Sequence, residues 1–170
     1  MTFRVFVSHS TTTADRPIID RFARKLLSEG IEAYIASDHV GPPEDLASTI
    51  IDAIDNADLV IGVWTKGASE SEWVNQELGR AYGRRPVILL VEEDVKVKGF
   101  FQNHKHVRFS RLNSEAGLDA VTRYLADQKR EKEWQELNRK FEQQQEMEML
   151  GTAIAVGIIL ILLVILATRK

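Results

Sequence analysis

No cysteine occurs in the 170 residues of this chain. Disulfide frameworks, thiolate zinc sites and cysteine nucleophiles are therefore excluded. Neither sign of charge dominates: 22 Lys and Arg stand against 25 Asp and Glu, for a formal net charge of −3. That balance gives no electrostatic case for nucleic acid. The opening MTFRVFVSHS has too few apolar residues, and turns polar too soon, for a secretory signal. Internal repeats are missing, as are GxGxxG after the first β-rich run, GxxxxGK[ST], GxSxG and HExxH. Response-regulator receivers need acidic residues after strand one and an Asp ending strand three; those positions here read Ser8-His9-Ser10 and Thr65-Lys66.

Met149 to Thr168, by contrast, contain no charged residue, His, Asn or Gln, and Arg169 and Lys170 follow. Twenty helical residues at ~1.5 Å each cover about 30 Å, the hydrocarbon thickness of a bilayer. The run is apolar on every face, unlike a surface helix of a soluble domain. Residues 149–168 are therefore expected to cross a lipid bilayer, with 169–170 as a short basic tail. Lys129, Arg130, Lys132, Arg139 and Lys140 precede the run, and this positive-inside bias puts the preceding domain in the cytoplasm. Residues 129–148 are charged and glutamine-rich, with no Gly or Pro, and read as a helical stalk. Trp134, Leu137 and Phe141 sit three and four apart, but Gln144 and Glu148 end the apolar seam too early for a coiled coil.

Residues 1–128 fit one globular domain. Phe3 to Val7 is a β-rich run. A helix is expected next, capped by Asp15 and with Pro17 in its first turn; Ile18, Ile19, Phe22, Ala23, Leu26 and Leu27 recur at helical spacing until Gly30 stops it. Ile31 to Ile35 reads as a strand and Ala36 to Pro43 as a loop. A helix with Leu46, Ile50, Ala53 and Ile54 inward follows. The nearly all-apolar Leu59 to Trp64 and Val87 to Val91 read as strands covered on both faces. Between them a helix opened by Ser71 turns Val74, Leu78 and Ala81 inward. Val107 to Phe109 is a last strand, and Leu118, Val121 and Leu125 mark a last domain helix. This alternation means a parallel sheet with helices on both faces.

Several segments together resemble the TIR (Toll/interleukin-1 receptor) domain. Val5-Phe6-Val7-Ser8-His9-Ser10 is similar to its first box. Asp38-His39-Val40-Gly41-Pro42-Pro43 is similar to its BB loop, and Ser71-Glu72-Trp73-Val74-Asn75-Gln76-Glu77-Leu78 carries its Ser-x-Trp-x-x-x-Glu-Leu pattern. His106 to Phe109 occupy the place of its third box. The resemblance covers residues 3–127, and its closest style is the compact prokaryotic form. It implies a flavodoxin-like, doubly wound, five-stranded sheet of order 2-1-3-4-5. Ligands in such sheets bind outside the carboxyl ends of the strands where the order reverses. Here that crevice lies between the loops Ser8 to Asp15 and Lys66 to Ser71.

The resemblance further implies cleavage of NAD, as substrate rather than cofactor, at the nicotinamide–ribose bond, with Glu77 as the catalytic carboxylate. Nicotinamide already leaves from a cation, so one fixed carboxylate beside the oxocarbenium-like ribose suffices. Ser8, His9, Ser10, Thr11 and Ser71 are candidate donors to ribose or phosphate, and Asp38 a candidate partner of the ribose hydroxyls. Trp73 can present a ring face or cap the core. Ser8 and Ser10 can equally serve turn hydrogen bonds, and His9 a structural role. His104 and His106 form no ligand set, so no metal is implied. Gly41, Pro42 and Pro43 are the expected assembly loop for self-association or for other TIR domains, aided by confinement at the bilayer. Ala153 and Gly157 form a small-xxx-small pair. The alternative functional reading is a non-catalytic adaptor working through the same loop.

Overall fold

The computed structural model describes residues 2–35, 43–97 and 99–168. Five strands form one parallel sheet: β1 (Arg4–Ser8), β2 (Glu32–Ile35), β3 (Leu59–Trp64), β4 (Val87–Glu92) and β5 (His106–Phe109). Their order is β2-β1-β3-β4-β5, so the reversal falls between β1 and β3. The parallel sheet is the one expected from the alternating pattern, and its flavodoxin-like order is the one the resemblance implies. The crossovers are α1 (Arg16–Ser28), α2 (Pro43–Asp55), then α3 (Lys66–Glu70) with α4 (Glu72–Ala81), and a 3₁₀ turn at Gly99–Asn103. The helix α5 runs over Glu115–Thr168.

All six residues of β3 are buried, which is why that strand is continuously apolar. Side chains alternate between two cores. One holds Val5, Val7, Ile61, Ile88 and Leu90 with Ile18, Phe22 and Leu26 of α1 and Leu118, Val121 and Leu125 of α5. The other holds Phe6, Val60, Trp64 and Leu89 with Ile50 and Ile54 of α2 and Val74, Leu78 and Ala81 of α4. Gly30, at φ 63°, ends α1 in a left-handed conformation that favours glycine, and Lys129 donates to the carbonyls of Glu29 and Gly30 at 2.9 and 3.0 Å.

Four details depart from the sequence reading. Asp15 occupies the position before α1 but makes no capping bond, because its carboxylate is used elsewhere. Leu27 is 76% exposed, since at 100° per residue it lies about a third of a turn from the buried stripe. The stretch after β3 is a helical turn, α3, capped by Thr65, whose Oγ1 accepts the Ala68 N–H at 3.1 Å. The last domain helix, the stalk and the apolar run are one uninterrupted helix, as a stretch without Gly or Pro from Lys129 to Glu148 permits. Leu46 carries a side chain outside the described residues.

The chain divides into two compact units, Met1–Lys129 and Arg130–Lys170. In the second, Trp134, Leu137 and Phe141 are exposed, as are the apolar side chains described from Met149 to Ile161. This C-terminal helix is long and apolar enough to cross a membrane.

Candidate active site

Ser8 ends β1 and pairs in register with Gly62 of β3. Alternation turns both residues toward the face that α4 covers. At Gly62 a Cβ would stand 2.7 Å from Leu89 Cδ2 and 2.9 Å from Leu78 Cδ1. The missing side chain therefore lets Leu78 of α4 lie directly on the sheet. Glu77, its neighbour in sequence, is thereby brought against the end of β1.

Ser8 Oγ donates to Glu77 Oε2 at 2.5 Å, and Ser8 is fully buried. Glu77 is only 4% exposed, although it lies on an otherwise charged helix. Among the described residues its second oxygen, Oε1, has no hydrogen-bond partner. Burial pushes the carboxyl up to about 7, against the opposing pull of the Ser8 hydroxyl and the nearby Trp73 indole. Trp73 lies one turn before Glu77 and is 44% exposed, outside the buried core residues of α4. Tyr34 stacks on Phe6 at 5.6 Å between centroids. Burial, and then the charge of Glu77, raise its phenol above the ordinary range.

The other candidates separate. Ser71 begins α4: its Oγ accepts the Val74 N–H at 3.3 Å and its carbonyl accepts from Asn75 Nδ2 at 2.8 Å. His9 is buried, and its Nδ1 lies 2.7 Å from the Ser10 carbonyl; a carbonyl only accepts, so Nδ1 carries the proton. Ser10 is buried and directs its hydroxyl to Asp15. Thr11 is exposed on the same loop. Asp38, Gly41 and Pro42 lie outside the described residues. Pro43 opens α2, and its side chain is likewise outside them. No group of three or more metal-binding side chains gathers among the described residues.

A second polar cluster adjoins the site and carries residues that the motifs did not single out. Asp15, 2% exposed, accepts from Ser10 Oγ at 2.8 Å, Thr65 Oγ1 at 2.6 Å and Arg111 Nη2 at 2.7 Å. Arg111 also donates from Nη1 to the Ala14 carbonyl at 2.8 Å and from Nε to Glu92 Oε1 at 2.6 Å. Glu92 Oε2 accepts from Arg111 Nη2 at 3.0 Å and from the Lys66 N–H at 3.2 Å. Burial pushes Asp15 up, but the donors Thr65, Arg111 and Ser10 outweigh it and hold the carboxyl below the usual range. Arg111 is the main cause of the same displacement at Glu92. Gly67 packs into this cluster: a Cβ there would stand 2.8 Å from Ser10 Oγ and 3.2 Å from Asp15 Oδ2. Arg111 and Asp15 are 96 residues apart, so no local spacing could announce the pair.

A family model described as TIR domain matches residues 5–125. Among solved structures, the TIR domain of the Toll-related receptor TRR-2 from Hydra magnipapillata is similar with a TM-score of 0.54 and 20% identity, over 61% of this chain and 82% of that one. The Clostridium botulinum CMP N-glycosidase BcmB is similar with a TM-score of 0.57 and 19% identity, over 71% of this chain and 98% of that one. A prokaryotic SEFIR domain reaches 0.56 and 18% identity, over 73% and 92%. At these identities the likeness is one of fold. No curated protein matches.

Proposed function

Because this chain belongs to the TIR domain family, we propose that it is a membrane-anchored enzyme that cleaves NAD between nicotinamide and ribose. One observation carries the reading. Glu77, at the last position of the Trp-x-x-x-Glu pattern, is a buried carboxylate with one oxygen held by Ser8 and the other unpartnered among the described residues. Leaving a buried acceptor unpaired is costly, and such groups belong more often to sites than to cores.

The chemistry follows from that carboxylate. The C1′–N bond breaks with its electron pair, which neutralises the nicotinamide nitrogen. Positive charge develops on the ribose, and ionised Glu77 stabilises it in a site with little competing water. Water or a hydroxyl of the substrate itself then captures C1′ and must lose a proton. A carboxylate with a pKa of about 7 is matched to accept it near neutrality. The cationic nicotinamide of bound NAD favours the ionised form beforehand. Trp73, half out of the protein, is the natural wall for an aromatic ring. The fold is also that of a protein named as a CMP N-glycosidase, so N-glycosidic cleavage is chemistry that this architecture can house. Products would be nicotinamide with ADP-ribose where water captures C1′, or with a cyclic ADP-ribose where the substrate's own hydroxyl does, in defence or stress signalling.

In this reading the apolar part of α5 crosses the bilayer, with the TIR domain on the cytoplasmic side where the basic residues before the run favour it. Assembly through Gly41, Pro42 and Pro43 would be favoured by confinement in two dimensions. The test is nicotinamide release from NAD by the full chain, reconstituted at high density in phosphatidylcholine vesicles, beside Glu77→Ala. Release by the wild type alone supports the enzyme and its carboxylate. Release by both removes Glu77 from the mechanism. Silence from both, with self-association measured on the same vesicles, favours an adaptor that works by assembly.

A further inference from the structure

Ser8 and Glu77 are held by the sheet and by α4. The loop between β1 and α1, residues 9–15, has no such support: it pairs with no strand, and it leaves β1 at the point where the strand order reverses, the place where open α/β sheets bind ligands. What fixes it is the polar cluster beside the site. Asp15 takes three donors from three separate segments, namely Ser10 of its own loop, Thr65 at the end of β3 and Arg111 after β5. Ser10 Oγ in turn accepts the Thr12 N–H at 3.2 Å, and the Thr12 carbonyl accepts the N–H groups of Asp15 and Arg16 at 3.0 and 3.3 Å. Among the described residues, Arg111 supplies the only cationic side chain within this network. Its planar fork spends three nitrogens on four acceptors: Asp15 Oδ1, the Ala14 carbonyl and both oxygens of Glu92.

We propose that Arg111 is a positioning residue for substrate binding, fastening the loop 9–15 to the end of β4 so that the segment after β1 keeps one shape. The inference rests on the NAD-cleaving reading for its substrate, but not for its structural content. Removing Arg111 leaves the Asp15 carboxylate buried without a counter-charge, and breaking such a pair displaces the segment that bears it. The Ser8–Glu77 pair stays in place, since its bonds do not pass through Arg111. The two kinetic parameters therefore part: substrate affinity falls while the chemical step is spared. Lysine supplies one point charge and cannot span Asp15, Ala14 and Glu92 together, so Arg111→Lys gives an intermediate effect.

Two measurements on the full chain in phosphatidylcholine vesicles decide the matter. In nicotinamide release, Arg111→Ala is expected to raise KM for NAD about tenfold with kcat changed less than twofold, and Arg111→Lys to fall between it and the wild type. In hydrogen exchange, which needs no activity, the amides of Thr12, Asp15 and Arg16 are expected to exchange at least about tenfold faster in Arg111→Ala, with β1 and β3 unchanged. Where the alanine variant does not fold, Arg111→Lys is read in both assays with the same directions. An unchanged KM, a fall confined to kcat, or exchange raised equally throughout the domain would overturn the proposal. A wild type that releases no nicotinamide defeats the NAD-cleaving reading instead, and exchange alone then upholds or overturns the fastening role of Arg111.

Discussion

Glu77 is held against its own solvation, so neutralising it should stabilise the fold, and only where the carboxylate would be ionised. The perturbation is Glu77→Gln, which keeps the shape and an acceptor for Ser8. An ordinary glutamate titrates at 4.5 and this one at about 7, with burial the largest cause. The sign follows from proton linkage. Below pH 4.5 both folded and unfolded chains hold the proton, and nothing is lost. As pH rises from 4.5 to 7 the unfolded chain ionises first, so stability declines by about 1.4 kcal/mol per pH unit. Above 7 both forms are ionised and the loss levels off at about 3 kcal/mol. Glutamine has no such dependence. The difference in stability between Glu77→Gln and wild type should thus grow by about 3 kcal/mol from pH 4 to pH 8, roughly 10 °C in Tm for a domain of this size. Any fixed mismatch of the amide with Ser8 shifts both ends equally and leaves this increment intact. Thermal unfolding of the full chain in neutral detergent, followed by near-ultraviolet circular dichroism at several pH values, reads it. A difference that does not vary with pH, or that shrinks as pH rises, would refute the reasoning.

Ser8→Ala removes the hydroxyl that lowers the Glu77 pKa, so the limb on which activity rises with pH should move upward by about one unit, a hydrogen bond to a charge being worth about 1.5 kcal/mol. A pH–rate profile of nicotinamide release checks this, and an unmoved limb contradicts it. Gly62→Ala drives a methyl into Leu78 and Leu89, with an expected cost of about 1–3 kcal/mol. Because Leu78 precedes no hinge, the displacement should carry Glu77 away from Ser8 and lower turnover by about 100-fold for each ångström; wild-type turnover in a destabilised variant would show that the close approach serves packing alone.

The sheet was readable from sequence because each of its determinants is local. An apolar run such as Leu59 to Trp64 marks a strand covered on both faces, and Gly30 ends α1 by taking up the left-handed conformation that closes it. Ser8, Trp73 and Glu77 stand out as candidates because the pattern that names them lies within single elements, though the bond between Ser8 and Glu77 joins two of them. Asp15 was legible as a polar residue before a helix, and capping is the usual employment of that position. Its actual partners come from β3 and from the segment after β5, which only the folded topology brings near. Arg111 sits in Ser110-Arg111-Leu112-Asn113, a stretch with no periodicity or motif. Long-range charge pairs of this kind leave no trace in spacing. Gly62 is a further case: a glycine inside a strand marks a close approach, but not which helix approaches or which carboxylate comes with it.

These residues divide the work by how each is supported. Glu77 and Ser8 are borne on a helix and on an interior strand of the sheet beside the fully buried β3, supports more rigid than a loop. A carboxylate that disfavours its own charge must be held there by packing, and Leu78 on Gly62 supplies that hold. The loop that would meet the substrate is fastened differently, through charged hydrogen bonds to Arg111 with Asp15 and Glu92 on the far side. The Ser8–Glu77 pair and the loop 9–15 thus depend on separate forces, one on apolar contact and the other on an ion-pair network. The first should be insensitive to salt and the second less so, since Arg111 is over a third exposed and Glu92 partly exposed. In the NAD-cleaving reading, a site assembled in this way could vary its loop, and hence its substrate, without disturbing the carboxylate assigned to the chemistry.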